Sequence, residues 1–162
     1  MPLNSVQKMC KSLIDGLVFP DYQEPLVVYI APPSPGDLLG PTCYIWGSTW
    51  HVKRQTAPRP LAFMSFQWLV DMWLLVPDAA DYPNADSAFP IIIDTITRVL
   101  RTTKIPIMLE DPDTGEETQI VAIGETMDGD YAPVHALGDE NTQGWVLYQA
   151  HITCTVEERV QL

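Results

Sequence analysis

Apolar positions along this chain change their spacing several times, and each change marks an element. Leu3, Val6, Cys10, Leu13 and Leu17 recur at intervals of three and four, with Ile14 and Val18 widening the stripe. That spacing predicts an amphipathic helix over residues 3–18, opened by Asn4 or Ser5 and closed near Gly16 and Pro20. Residues 26–30 form a short β-rich run. Next comes a connection dense in Pro32, Pro33, Pro35, Gly36, Gly40 and Pro41, where neither helix nor ladder persists. From residue 43 the period falls to two. Over 43–54 the alternation assigns Tyr44, Trp46, Trp50 and Val52 to one face and Gly47, Thr49, His51 and Lys53 to the other. Over 61–76 every even position is apolar, while the odd face admits Ser65, Gln67 and Asp71. Side chains alternate across a strand, so both stretches read as half-buried antiparallel strands. The link 55–60 joins them into a long hairpin with Arg54 and Arg59 near its tip.

Residues 76–88 predict a loop. A second helix follows, capped by Asp86 or Ser87, with Phe89, Ile92, Ile93, Ile96, Val99 and Leu100 inward and Pro90 in its first turn. Arg98, Arg101 and Lys104 complement the dipole at its C-terminal end. Two strands, 105–109 and 118–123, flank a polar turn over 110–117. Gly129, Pro133 and Gly138 predict a loop over 124–144. The last stretch, 145–160, alternates again: Val146, Tyr148, Ala150, Ile152, Cys154 and Val156 on one side, Gln149, His151, Thr153, Thr155 and Glu157 on the other. This order predicts a single α+β domain over 1–162, an antiparallel or mixed β-sheet with a long hairpin packed against two helices.

Charge changes the picture more than composition does. The chain has 162 residues, 46% hydrophobic and 19% charged, an ordinary globular balance. Its net charge of −12 is unevenly placed, because residues 105–162 carry twelve acids against the single base Arg159. Such a half has no clustered Lys and Arg with which to neutralise phosphates, which argues against nucleic-acid binding through it. Docking on anionic lipid is disfavoured for the same reason. Lys8, Lys11 and Asp15 break up the first residues, so no secretory signal is expected; the most apolar run, 63–76, is too short to span a bilayer and contains Asp71. Cys10, Cys43 and Cys154 form no CxxC pair, which points to a reducing compartment and no disulfide framework.

Candidate chemistry is sparse. Asp111-Pro-Asp113-Thr-Gly115 starts like a calcium loop, but the later ligand positions hold Gly115, Glu116 and Ala122, so an acidic hairpin tip is the better reading. His51 and His151 fall on polar strand faces and His135 on a loop, without metal-ligand spacing; cross-strand hydrogen bonding is expected of them. No nucleophile elbow or phosphate-cradling glycine motif occurs. Neither an enzyme nor a cofactor is expected. Trp46, Trp50 and Trp68 are expected in the core, whereas Trp73 and Trp145 fall opposite the apolar lines and, with Arg54 and Arg59, are candidates for a subunit or partner interface. A strand of sixteen residues spans roughly 50 Å, more than a small core covers. Long uncovered edges call for another chain, and heterologous contacts closing into a ring are the economical solution.

The N-terminal helix, the hairpin 43–76, the central helix beginning Phe89-Pro-Ile-Ile-Ile-Asp-Thr and the terminal strand 145–156 together resemble the tail terminator, or head–tail joining, proteins of long non-contractile tailed phages. The Pro-rich stretch 31–41 and the long stretch 124–144 depart from that pattern. The resemblance implies a structural virion protein, assembled in the host cytoplasm: a homohexameric ring that caps the tail tube protein, bridges to a neck or head-completion protein and lets DNA pass without specific binding. It implies no membrane. On that footing Asp111, Asp113, Glu116, Glu117, Asp128 and Asp130 are expected to line the DNA channel, with ordinary solubilising charges as the alternative. Other functions left open are a head-completion or stopper subunit, a tail tube protein, and a metal-dependent hydrolase using the C-terminal carboxylates.

Overall fold

In the computed structural model, the two stretches of helical spacing fold as α1 (Leu3–Ile14) and α2 (Ala85–Thr102), and the alternating stretches as strands. The structure describes residues 3–20, 22, 24–34, 40–55, 63–78, 85–110, 115, 117–135 and 146–161. The strands are β1 (Val27–Tyr29), β2 (Thr42–Gln55), β3 (Phe63–Asp78), β4 (Ile107–Glu110), β5 (Glu117–His135) and β6 (Val146–Gln161). They form one sheet in the order β1-β2-β3-β6-β5-β4. Only β1 and β2 run parallel; every other pairing is antiparallel. This is the α+β architecture expected from the sequence, a mixed sheet with a long hairpin packed against two helices.

The core lies between the helices and one face of the sheet. α1 contributes Val6, Met9, Cys10 and Ile14, and α2 contributes Phe89, Ile92, Ile96 and Leu100. The even positions of β3 from Trp68 to Val76 and of β6 from Ala150 to Val156 face them, all buried. Each Val, Leu, Ile, Met or Phe side chain among them withdrawn from water adds about 1.5–3 kcal/mol. α1 also fixes the edge of the sheet: Lys11 Nζ donates to the Val28 carbonyl at 2.6 Å, and the Val28 N–H donates to Asp15 Oδ1 at 3.0 Å. The helix stops at Ile14, so the stripe does not extend to Val18, which is 71% exposed. α2 begins at Ala85, earlier than the expected cap, and Pro90 therefore falls in the second turn rather than the first. Among the described residues no helix is long and apolar enough to cross a membrane.

Two departures from the expected pattern involve bulged strands. A β-bulge between Ile45 and Ser48 gives β2 one residue more than β3. Cys43 and Ile45 pair with Leu74 and Met72, whereas Ser48 and Trp50 pair with Val70 and Trp68. Core-facing register thus passes from odd to even residues, and Trp46, expected inside, stands 49% exposed. Tyr44 likewise leaves the core face; it packs with Leu75 and Leu147 on the opposite side and donates its hydroxyl to the Ser34 carbonyl at 2.8 Å. The second departure is the loop expected over 124–144. Residues 124–135 instead continue β5, which pairs with β6 as far as His135 opposite Val146; residues 136–144 lie outside the described residues. Gly124 and Gly129 belong to the strand. Gly124, at φ +69°, sits in a bulge between Ile123 and Met127, and a side chain at Gly129 would meet the His151 carbonyl at 3.0 Å.

Candidate functional site: the open face of the sheet

The face turned away from the helices is built from the odd positions of β3 and β6 and the residues of β5 that pair with them. Register places Asp71, Thr153 and Asp128 in one row across β3, β6 and β5, and Trp73, His151 and Asp130 in the next. Asp71 is the centre of this group. Its Oδ1 accepts from His151 Nε2 at 2.7 Å and from the Thr153 hydroxyl at 3.2 Å. The indole of Trp73 lies over the His151 ring, with centroids 4.1 Å apart and planes 13° from parallel. Further along the same face the Ser65 hydroxyl donates diagonally to Glu157 Oε1 at 2.9 Å, with Arg159 Nε 3.6 Å from the same oxygen.

This arrangement knits β3 to β6 and leaves carboxylates facing outward. The imidazole has one nitrogen engaged by Asp71 and one face covered by Trp73, so it is held as a structural cross-strand partner. Among the described residues no three His, Cys, Asp or Glu side chains gather closely enough to hold a metal ion. Asp128 and Asp130 are exposed on β5, and Glu117 is exposed at its start. Asp111, Asp113 and Glu116 lie outside the described residues, as do Arg59 and Trp145. Arg54 sits near the end of β2, in register with Met64. Trp73 is half-buried against His151 and the Tyr44, Leu75 and Leu147 cluster.

Sequence reasoning passed over three features. Asp71 was visible as a polar break in an apolar strand, yet only the register reveals its two partners. Exposed Trp46 was hidden by the bulge. A cleft between α2 and β5–β6, lined by Ile93, Thr97, Arg101, Met127, Gly129 and Ile152, required β5 to be a strand.

The three thiols are all free and buried. Burial pushes Cys43 up to about 12 and Cys154 up to about 11 from an ordinary 9.0, and Cys10 higher still. Native protein at pH 8 is therefore expected to resist iodoacetamide at all three positions and to react only on unfolding, as read by mass spectrometry. The unfolded chain releases these protons near pH 9, before the folded one does. Each thiol accordingly contributes stability that is complete below pH 9 and is lost as pH rises toward 11–12. No protein-family pattern matches this sequence, and no curated protein is significantly similar to it.

Proposed function

We propose that this chain is a structural ring subunit of a tailed-phage neck, a tail terminator that caps the tail tube and joins it to the head. One observation carries the reading: a long sheet has helices on one face and a set of carboxylates, Asp71, Asp128, Asp130 and Glu157, on the other. A subunit of this kind serves as a stave, with helices outside and a polar wall within. α2, with 18 residues, is about 27 Å long, whereas β6, with 16, runs about 50 Å. The wall outruns its own cover, as a stave in a ring does.

The charge then has work to do. A carboxylate repels a phosphate 10 Å away by about 0.4 kcal/mol in water, less after screening by salt. Repeated around a ring, this keeps the duplex centred and prevents adsorption during ejection. The expected result for purified protein is a closed annulus with a central hole in negative-stain images; a terminator halts at one ring, while a tube protein polymerises. Neutralising Asp111, Asp113, Glu116 and Glu117 to their amides should leave rings intact and slow DNA release. An unchanged release rate would reject the channel placement, and a lone compact particle would reject the ring.

A further inference from the structure

The sheet has two long stretches of edge with no strand beside them among the described residues. β1 covers β2 only at residues 42–44, and β4 covers β5 only at residues 117–120. Residues 45–55 on one side of the sheet and 121–135 on the other are left with outward-facing backbone groups. A bulge breaks each stretch near its start, so the regular parts are 48–55 and 127–135, of nearly equal length.

We propose that these edges dock on each other between two copies of this chain, β2 of one subunit pairing antiparallel with β5 of the next. The inference deepens the ring reading and rests on it. Strand direction alternates from β2 through β3 and β6 to β5, so β5 runs opposite to β2. A rotation about an axis along the strands preserves those directions, and the joint between neighbours is then an antiparallel ladder. The short edge strands fit this joint. β1 sits at the start of β2 and β4 at the start of β5, which in an antiparallel pair are opposite ends. Each therefore blocks further sliding at its own end. Pro133, with no N–H to give, closes the ladder near the β1 end.

Charge selects this pairing over its rivals. The β2 edge carries Lys53 and Arg54, and the β5 edge carries Glu125, Asp128 and Asp130. Laid end to end with the two faces of the sheet kept continuous, the regular stretches bring Lys53 opposite Asp130, while Arg54, in register with Met64 on the other face, falls opposite Gly129. Two β5 edges would instead set acids against acids, and two β2 edges bases against bases, so a two-fold dimer is disfavoured. The contact is heterologous, and it propagates around a ring until the ring closes.

The test measures assembly mass by light scattering, with negative-stain images, for the whole chain and its charge variants. Lys53→Glu or Asp130→Lys should each weaken assembly by at least about tenfold in concentration. Combining the two should restore rings. Separately, Lys53→Cys with Asp130→Cys should join subunits into covalent multimers through a short thiol-to-thiol linker; the three native thiols are buried and give no background. Circular dichroism checks folding, and if a charge variant unfolds, the cross-link alone decides. Rings that survive both charge reversals and give no cross-link would overturn the edge pairing while leaving the ring reading intact. A wild-type chain that stays monomeric would overturn both.

Discussion

Trp68→Phe is expected to cost about 3 kcal/mol in urea denaturation, and Glu158→Leu is expected to abolish most of that cost. Glu158 is fully buried on the helix side of β6, in register with Phe66 and Ile120. Its Oε2 accepts from Trp68 Nε1 at 2.8 Å, and its Oε1 has no partner among the described residues. Removing the indole N–H leaves both carboxyl oxygens buried without a donor. A hydrogen bond to such a group is worth about 1.5–3 kcal/mol, and an abandoned buried acceptor costs more than its lost bond alone. The smaller ring of phenylalanine adds a packing loss on top. In a Glu158→Leu background there is no carboxyl to abandon, so Trp68→Phe should then cost only about 1 kcal/mol, the packing part. The double-mutant cycle isolates the coupling. Equal costs in the two backgrounds would mean that the 2.8 Å contact contributes nothing to stability.

Glu158 also shows where reading a sequence stops. Even positions of the last strand form an apolar line through Val156, and residue 158 continues that line in the same phase. Periodicity therefore reports the face that Glu158 occupies. It cannot report depth, because whether a strand's end is covered depends on elements distant in sequence, here β3 and β5. The same division runs through the molecule. Both helices and both long hairpin strands were legible because their signal is local, three- and four-residue or two-residue spacing sustained over many positions. β5 was not legible beyond residue 123, since its glycines also suit turns; only the neighbouring strand shows that Gly129 makes room for the His151 carbonyl. Asp128 and Asp130 were picked out by charge alone. Their placement beside Thr153 and His151 on the face turned away from the helices follows from a register that two bulges alter.

Deleting Gly47 should be the most damaging single-residue change in the hairpin, far worse than replacing it. Gly47 adopts φ +83° in the bulge that gives β2 its extra residue. Alanine there meets only Asp71 Oδ2, at 3.7 Å, so space is available and the cost is the left-handed backbone, about 1–2 kcal/mol. Deletion acts differently. Without the extra residue the strand has a single phase, and because side chains alternate with a period of two, a one-residue slip moves a whole set to the other face. Either the residues after the bulge lose their register with Val70 and Trp68, or Cys43 and Ile45 leave the core and Tyr44 enters it. Expelling Cys43 and Ile45 alone forfeits about 4 kcal/mol of apolar burial, before the Tyr44 hydroxyl loses the Ser34 carbonyl. Urea midpoints should therefore fall modestly for Gly47→Ala and collapse for the deletion, with loss of cooperative unfolding by circular dichroism. A deletion no worse than the alanine variant would mean that the hairpin tolerates either phase, and that the bulge does not set which face of β2 meets the helices.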